Sequence, residues 1–245
     1  GGGQLGRMLL QAAADFTVET FVMENDPNCP SAFFCKNFTL GDIRNYDAVY
    51  NFGKSLDAIT IEIEAVNIDA LEQLEKEGVK VYPSTTAIRI IKNKIIQKQF
   101  YADNEIPSSK FIITNSLEDL NKLESFLPAV HKIGEGGYDG KGVQVIRTKE
   151  DLDKGFNAPS VLEKMVPILK ELAIIIGVNN KGETAVYPIA EMIIDPVLNL
   201  LDYQVSPARI PENVCWKAEA IAIKDGKIIA IGPEREILNK YSAAQ

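Results

Sequence analysis

The sequence predicts an α/β protein with two domains, a small parallel α/β domain followed by an α+β domain. Across residues 1–84, apolar β-branched runs alternate with segments of helical spacing, which is typical of a parallel sheet covered by helices. Residues 85–104 predict one long helix, with Pro107 as a natural break after it. Beyond that point, short β-rich runs separated by Gly, Asn, Lys and Pro indicate antiparallel hairpins. We therefore place the domain boundary between residues 85 and 105.

The individual elements follow from local pattern. Residues 4–14 predict a helix because their apolar side chains recur on one face. Residues 56–63 predict a buried strand because they are apolar and β-branched. The first domain should also contain a strand over 17–23, a helix over 68–76 that ends at Gly78, and a strand over 79–82. In the second domain we predict strands over 129–133, 143–147, 160–165, 172–178 and 184–189.

Composition excludes several classes of function. The chain has 245 residues, with 26 Lys and Arg against 34 Asp and Glu, so its net charge of −8 argues against nucleic-acid or anionic-membrane partners. No apolar run approaches the ~20 residues that span a bilayer, and no signal peptide is visible. Three cysteines without a C-x-x-C pair, and a single histidine, cannot form a Cys/His zinc cluster. The cysteines predict reduced thiols in a cytoplasmic protein, and the lone His131 argues against Ser-His-Asp or Cys-His chemistry.

The chain opens on a glycine-rich turn. Gly1, Gly3 and Gly6 match the dinucleotide fingerprint G-x-G-x-x-G, and Glu24, 18 residues after Gly6, stands where a ribose-binding acid is expected. The same turn could instead pack a helix against a sheet, or bind another phosphate at the helix N-terminus. Such a turn normally follows a strand. No strand precedes it here, so we expect that the start of the gene product is absent.

A second glycine cluster is the stronger chemical signal. Residues 134–142 contain five glycines in nine positions between two predicted strands, and such a loop can lay backbone N–H groups on phosphate oxygens. It is not a Walker A motif. Lys94 and Lys132 could neutralise phosphates, and Glu163 and Glu171 could accept from ribose hydroxyls. Each of these side chains alone is more often a solvated surface charge.

Several motifs in order carry a family resemblance. GGGQLGRM, the TIEIE strand, GGYDGKG, VLEKMV and YPIAEM together resemble the N5-carboxyaminoimidazole ribonucleotide synthases, the ATP-grasp ligases of bacterial and fungal purine biosynthesis. The resemblance extends from residue 1 to about residue 223. It implies a Rossmann-like (pre-ATP-grasp) domain over 1–84 and an incomplete ATP-grasp domain over 85–223. It also implies a homodimer that uses ATP and Mg²⁺.

The resemblance implies the reaction and the residues that perform it. ATP would activate bicarbonate as carboxyphosphate, and the CO₂ released from it would carboxylate the exocyclic amine of 5-aminoimidazole ribonucleotide. The residues matched to ATP binding are Lys94, Lys132, Gly136, Gly137, Tyr138, Asp139, Gly140, Lys141, Gly142, Glu163, Lys164, Met165, Val166, Glu171 and Glu191. Of these, Tyr138, Asp139 and Lys141 match the loop at the reacting end. The residues matched to the ribonucleotide are Gln4, Leu5, Gly6, Glu62 and Glu64.

The chain departs from the family pattern near its end. The family has two glutamates, the second in an Asn-Glu pair, that hold Mg²⁺ between the ATP phosphates, and no metal ligands are assigned in this chain. Glu219 could be the first of them, with the Asn-Glu position falling on Ile231 and Gly232. Alternatively, and this is the explanation we favour, residues 224–245 are an atypical tail that resembles an amidohydrolase sequence, and Glu219 is an exposed helical residue.

The departure leaves three functional hypotheses. Without the metal carboxylates we expect this chain to bind nucleotide weakly and not to turn over. A catalytically inactive, nucleotide-binding ATP-grasp protein is therefore the first alternative to the ligase. A dinucleotide-dependent oxidoreductase built on Gly1, Gly3 and Gly6 is the second, although the GGYDGKG loop has no role in it.

Overall fold

A computed structural model describes residues 1–137, 142–179, 181–195, 200–215, 218, 223–224 and 227–228. The chain divides into two compact units, Gly1–Lys92 and Asn93–Gln245. The mixed α/β character predicted from the sequence is confirmed in both units. None of the helices in the described part of the chain combines the length and apolar character that a membrane crossing requires.

The first unit is built from two parallel strand pairs and the helices that cover them. Its helices are α1 (Gln4–Ala13), α2 (Tyr46–Gly53), α3 (Ile68–Lys76) and α4 (Thr85–Lys92). Its strands are β1 (Phe21–Glu24), β2 (Asn37–Leu40), β3 (Ala58–Thr60) and β4 (Lys80–Tyr82). β1 pairs with β2, and β3 with β4, both in parallel. The parallel arrangement and the helices predicted over 4–14 and 68–76 are thus confirmed.

Helix α3 supplies the centre of the first core. The side chain of Asn67 caps it by accepting from the Ala70 N–H at 2.9 Å. Leu71 and Leu74 are fully buried against Val81 of β4 and other apolar side chains of the unit. Gly53 ends α2 against Leu74, and a side chain at Gly53 would collide with the Leu74 side chain. The small residue is therefore what lets α2 approach α3.

Two predictions in this region are wrong in detail. The strand predicted to be buried over 56–63 shrinks to β3, in which Ala58 and Thr60 are exposed. It is exposed because, within the fully described residues 1–92, only β4 pairs with it. The helix predicted over 85–104 is two helices, because Asn93 is extended and its side chain accepts from the N–H groups of Ile95 and Ile96 as the cap of a new helix.

The second unit begins with an antiparallel sheet of order β5-β8-β6-β7. Its elements are α5 (Lys94–Asp103), β5 (Phe111–Thr114), α6 (Leu117–Asn121), β6 (Ala129–Ile133), β7 (Val143–Ile146) and β8 (Ser160–Lys164), with 3₁₀ turns at Glu124–Phe126 and Lys149–Lys154. Leu120, Ala129, Ile146 and Leu162 form its core and are fully buried. The predicted hairpin of β6 and β7 is confirmed.

Smaller sheets complete the second unit. Their strands are β9 (Glu171–Ala173), β10 (Ile176–Val178), β11 (Thr184–Val186), β12 (Ala190–Ile194), β13 (Leu201–Val205), β14 (Ile223–Lys224) and β15 (Lys227–Ile228). β13, β12 and β9 form one antiparallel sheet, while β10 pairs with β11 and β14 with β15. The single strand predicted over 172–178 is wrong, because β9 and β10 belong to different sheets. The description of 224–245 as an atypical tail stays a prediction, since most of it lies outside the described residues.

Candidate functional site

The glycine turn at the start of the chain lies at the carboxyl ends of two strands. The Gly2 N–H donates to Glu24 Oε2 at 2.9 Å, and the Gly3 N–H donates to Glu62 Oε2 at 3.3 Å. A Cβ at Gly3 would stand 2.5 Å from Glu62 Oε1, so the close approach of this carboxylate requires glycine. Glu24 also accepts from the Asn25 N–H at 2.8 Å, so backbone donors engage both of its oxygens.

The structure brings only part of the predicted ribonucleotide set together. Glu62 is half-buried against the turn, while Glu64, two residues further along, is exposed. Gly6 is buried, and a Cβ there would stand 2.7 Å from the Gly1 carbonyl oxygen. Gln4 and Leu5 are exposed in the first turn of α1, where backbone N–H groups have no acceptor within the helix.

The glycine hairpin of the second unit is anchored at its root. Tyr138, Asp139, Gly140 and Lys141 lie outside the described residues, so their predicted roles stay predictions. The Ile133 N–H donates to the Gly142 carbonyl at 2.9 Å and closes the hairpin. Gly142 has φ +87°, and Gly136 has φ +79°, conformations that favour glycine. The glycines are thus placed where the chain turns.

Helix α5 begins at the same root. The backbone N–H of Lys94 donates to the Gly134 carbonyl at 2.8 Å. The Asn93 side chain, which caps α5, also donates to Glu135 Oε1 at 2.8 Å. These bonds place the backbone of Lys94 beside the start of the glycine loop, and its role in binding phosphate stays a prediction.

Glu163 is a buried carboxylate shared by two lysines. Its Oε1 lies 3.0 Å from Lys132 Nζ and its Oε2 lies 3.1 Å from Lys98 Nζ. Across the β6–β8 ladder Glu163 is opposite Val130, so it shares a face of the sheet with Lys132, two residues further on. Ser109 donates to Glu163 Oε2 at 3.0 Å. Lys132 and Glu163, which the sequence analysis names as separate candidates, therefore form one ion pair in the structure.

Lys98 is the residue that the sequence reasoning missed. It is 1% exposed, and its ammonium donates to Ser108 Oγ at 2.6 Å and to Ser109 Oγ at 3.3 Å. A buried lysine with a carboxylate partner is uncommon. Its position four residues after Lys94, on the same helix face, was the available signal.

In the segment 163–166, at the end of β8, the backbone N–H groups of residues 164 and 165 already have acceptors within the protein. The Lys164 N–H donates to the Lys110 carbonyl at 2.8 Å, and the Met165 N–H to the Pro128 carbonyl at 3.1 Å. The Lys164 ammonium binds the carbonyls of Phe126 and Leu127. No described residue accepts from the Val166 N–H.

Glu191 is held on β12 between two cations. Its Oε2 accepts from Arg209 Nε at 2.9 Å, and its Oε1 accepts from Lys170 Nζ at 2.9 Å. The hydrogen bond from Arg209, followed by that from Lys170, lowers the pKa of the Glu191 carboxyl to about 2. Glu171 begins β9, which pairs with β12 so that Glu171 is opposite Met192. The structure thus places both predicted glutamates in one sheet.

The single histidine is a core residue. His131 is fully buried on β6, and its Nδ1 accepts from the Phe156 N–H at 3.2 Å. Its Nε2 therefore carries the proton and donates to Thr114 Oγ1 at 2.9 Å. Burial lowers the pKa of the His131 imidazole to about 4. Both ring nitrogens of this neutral imidazole are therefore bonded within the core.

The lysines and the glycine hairpin are groups of the kind that bind polyphosphate. Lys98 and Lys132 flank the carboxylate of Glu163, and Lys132 lies on the strand that enters the glycine hairpin, whose backbone N–H groups can bind phosphate oxygens. In the described ranges, no group of three or more His, Cys, Asp or Glu side chains is placed to hold a metal.

Comparison with known proteins agrees with this arrangement. Residues 1–92 match the ribonucleotide synthetase preATP-grasp domain, and residues 99–228 match the ATP-grasp domain. A phosphoribosylaminoimidazole carboxylase of Candida glabrata is 35% identical over 91% of this chain and 40% of its own length. A carboxyaminoimidazole ribonucleotide synthase from Aspergillus clavatus, solved with ATP, is 29% identical, with a TM-score of 0.82 over 91% of this chain and 60% of that one.

A further solved structure of the Aspergillus clavatus enzyme contains ADP and 5-aminoimidazole ribonucleotide. It is 28% identical, with a TM-score of 0.79 over 91% of this chain and 59% of that one. The chain spans about 40% of the length of the first curated relatives that it matches. The resemblance to the N5-carboxyaminoimidazole ribonucleotide synthases, inferred from the motifs, is confirmed. The chain belongs to the ATP-grasp family, and a ribonucleotide synthetase preATP-grasp domain precedes its ATP-grasp domain.

Proposed function

We propose that this protein catalyses the ATP- and bicarbonate-dependent carboxylation of 5-aminoimidazole ribonucleotide to N5-carboxyaminoimidazole ribonucleotide, a step of de novo IMP biosynthesis. The observation that carries the proposal is the pair of lysines around buried Glu163 at the root of a glycine hairpin, inside an ATP-grasp domain. The names of the relatives support the substrate assignment. ATP would supply the phosphoryl group that activates bicarbonate as carboxyphosphate.

The lysines would offset charge in a reaction between anions. Lys132, oriented by Glu163, and Lys94, at the start of α5, are the cationic groups proposed to bind the ATP phosphates. The hairpin of residues 136–142 would cover them and exclude water, which protects a hydrolysable acyl phosphate. We propose that Tyr138, Asp139 and Lys141 serve the reacting end of this loop.

The adenosine part of ATP would bind along β8, β9 and β12. The N–H groups of Lys164 and Met165 are engaged, so the Val166 N–H is the donor we propose for the adenine ring. Glu171 is proposed to accept from ribose hydroxyls. Glu191, bonded to Lys170 and Arg209, would hold those two cations in place.

The ribonucleotide is assigned to the glycine turn of the first unit. Glu24 and Glu62 already accept from the amides of Gly2 and Gly3. The amides of Gln4 and Leu5, at the positive end of α1, are therefore the donors we propose for a phosphate. Glu62 and Glu64 are proposed to accept from ribose or imidazole donors.

Three finer assignments rest on the family and on general chemistry. We propose Mg²⁺ as the counterion of ATP, because phosphoryl transfer between anions needs divalent charge. We propose a homodimer on the family resemblance. We propose a cytoplasmic location because Cys29, Cys35 and Cys215 are free thiols, which is typical of a reducing compartment.

A turnover assay tests the proposal. The chain is mixed with ATP, Mg²⁺, ¹⁴C-bicarbonate and 5-aminoimidazole ribonucleotide, and ADP release and acid-labile ¹⁴C product are followed together. The proposal predicts, against the expectation of no turnover drawn from the missing metal carboxylates, that ADP is released. This release should need both bicarbonate and the ribonucleotide and should fall ~100-fold or more in Lys132→Met. Lys122→Met, which removes an exposed lysine of the same unit, is the matched control and should leave turnover unchanged.

Other outcomes would replace the proposal. ATP binding without ribonucleotide-dependent ADP release would favour the inactive nucleotide-binding protein. Binding of NAD without binding of ATP would favour the oxidoreductase.

A further inference from the structure

A buried lysine lies next to the carboxylate that contacts Lys132. Lys98, on α5, is 1% exposed, and the ring centroids of Tyr101 and Phe111 lie 6.0 and 5.9 Å from its ammonium nitrogen. Taking a charge out of water is costly, and an apolar side chain of similar volume is often as stable in such a place, or more so. Stability alone therefore does not account for a lysine at this position.

The contacts of Lys98 hold one oxygen of Glu163. The ammonium lies 3.1 Å from Glu163 Oε2 and donates to Ser109 Oγ at 3.3 Å. The Ser109 hydroxyl donates to the same Oε2 at 3.0 Å. Because its only proton is used on the carboxylate, Ser109 can act towards Lys98 only as an acceptor, which fixes the direction of each bond. A further bond from Lys98 to Ser108 Oγ, at 2.6 Å, holds the ammonium in place.

The second oxygen of Glu163 contacts Lys132. Glu163 Oε1 lies 3.0 Å from Lys132 Nζ, and the Lys132 side chain is 18% exposed, so it reaches solvent where Lys98 does not. The two oxygens of a carboxylate are rigidly joined, so groups that hold Oε2 also set the direction of Oε1. Lys98 can therefore act on Lys132 through Glu163 without itself touching a bound nucleotide.

We propose that Lys98 is a positioning residue, which fixes the Glu163 carboxylate so that Lys132 is held where it binds the ATP phosphates. The inference rests on the phosphate role of Lys132 in the proposed function. Without Lys98 the carboxylate loses its cation at Oε2 and can turn, and Lys132 turns with it. Phosphate binding should then weaken, whereas adenosine, which has no phosphate, should bind as before. Loss of a side chain that only supports the fold would weaken both ligands alike.

Equilibrium binding of ATP and of adenosine to the full chain, measured by calorimetry, tests the proposal. We expect Lys98→Met to weaken ATP binding at least ~5-fold and to leave adenosine binding unchanged. Ser109→Ala removes only a hydroxyl group and should weaken ATP binding by ~3-fold, again without effect on adenosine, so the test stands even if Lys98→Met does not fold. Gln99→Met, which replaces an exposed side chain of the same helix, is the control and should bind both ligands like wild type.

A double-mutant cycle shows whether the effect passes through Glu163. Once Glu163→Gln is present there is no carboxylate to orient, so adding Lys98→Met should weaken ATP binding by less than ~2-fold more. The same loss from Lys98→Met in both backgrounds would overturn the proposal. So would an equal loss of ATP and adenosine affinity in Lys98→Met, or an unchanged ATP affinity in both Lys98→Met and Ser109→Ala.

The binding data separate this inference from the proposed reaction. A wild-type chain that binds ATP but releases no ADP with bicarbonate and the ribonucleotide would overturn the reaction, while the affinities of the variants would still decide the role of Lys98. Normal ADP release by wild type, together with wild-type ATP affinity in the Lys98 and Ser109 variants, would overturn the positioning role alone. A wild-type chain that binds no ATP would overturn both.

Discussion

A single carboxylate organises the candidate nucleotide site at the scale of residues. Glu163 is 5% exposed and pairs with Lys98, which is 1% exposed, so neither charge can be hydrated if the other is removed. A buried pair of this kind contributes little compared with an apolar pair, but breaking it by removing one partner leaves an unpaired charge. The pair is therefore expected to matter more for orienting Lys132 than for net stability.

We expect Glu163→Gln to lower the free energy of unfolding by about 3 kcal/mol, because it leaves Lys98 buried without its carboxylate. The double variant Glu163→Gln with Lys98→Met should recover part of that loss. Urea denaturation of the single and double variants measures both changes. Lys122→Met, which breaks an exposed pair with Glu118, is the control and should change stability by less than about 0.5 kcal/mol. Equal losses in the single and double variants would contradict the pairing.

His131 gives a pH prediction with a defined sign. Its pKa of about 4 in the folded chain is below the unfolded value of 6.5, so the neutral ring stabilises the fold above pH 6.5. That stability, about 3 kcal/mol, is lost as the pH falls from 6.5 to 4. Because His131 is the only histidine, its ring resonance in NMR can be followed without assignment. We expect no titration between pH 8 and 5, and a midpoint near 6.5 would contradict the buried ring.

Candidate site residues could be predicted from the sequence, whereas the contacts of their side chains could not. Lys94, Lys132 and Glu163 are predicted from the sequence because charges next to a glycine loop suggest a phosphate site, and the structure shows that Lys132 contacts Glu163. Lys98 could not be predicted, because a lysine on a polar helix face is expected to be exposed to solvent. Only the fold brings Ser108, Ser109 and Glu163 around its ammonium.

At the scale of elements, helices and strands could be predicted where the signal lies in neighbouring residues. They could not be predicted where a side-chain cap or a distant strand sets the outcome. The hairpin of β6 and β7 was predicted because alternation and glycine chemistry lie next to each other in sequence. The break at Asn93 was missed because the helical spacing continues through it, and only the bonds of its side chain reveal the cap. The exposure of β3 was missed because burial of a strand depends on distant neighbours, not on its own residues.

The root of the glycine hairpin provides a matched pair of substitutions. Gly136 and Gly142 both have positive φ. Among the described residues, a Cβ at Gly136 meets no atom within 4 Å, whereas at Gly142 it stands 2.5 Å from Ile133 Cγ2 and 2.8 Å from Gly137 Cα. We expect Gly136→Ala to cost about 1 kcal/mol of unfolding free energy and Gly142→Ala at least about 2 kcal/mol. Chemical denaturation checks both, and a Gly142→Ala loss no larger than that of Gly136→Ala would contradict the tight root.

At the scale of the whole molecule, the two units carry separate parts of one proposed reaction. The first offers a glycine turn bonded to Glu24 and Glu62, and the second offers cations around Glu163. The order of the two domains could be predicted from the sequence, and so could the parallel strands of the first and the antiparallel strands of the second. The two kinds of sheet differ in the pattern of apolar residues and of the turns between strands. The roles of the predicted site residues, including residues 138–141, and the character of the chain beyond residue 224 remain predictions.

The acid stability of the second unit should also depend on Glu191. Its pKa of about 2 is below the ordinary value of 4.5, so its ion pairs stabilise the fold above pH 4.5 and are lost as the pH falls towards 2. This window lies below that of His131, so the two effects can be separated. Glu191→Gln should reduce the dependence of unfolding free energy on pH between 4.5 and 2.5. An unchanged slope would contradict the pairing with Arg209 and Lys170.

The most direct test of the account is equilibrium binding of ATP and of adenosine to the intact chain, measured by calorimetry for wild type, Lys132→Met and the control Lys122→Met. If Lys132 binds phosphate beside Glu163, Lys132→Met should weaken ATP binding at least ~10-fold and leave adenosine binding unchanged, with Lys122→Met like wild type. Absence of ATP binding to the wild-type chain, or equal ATP affinity in Lys132→Met, would contradict a nucleotide site at Lys132 and Glu163.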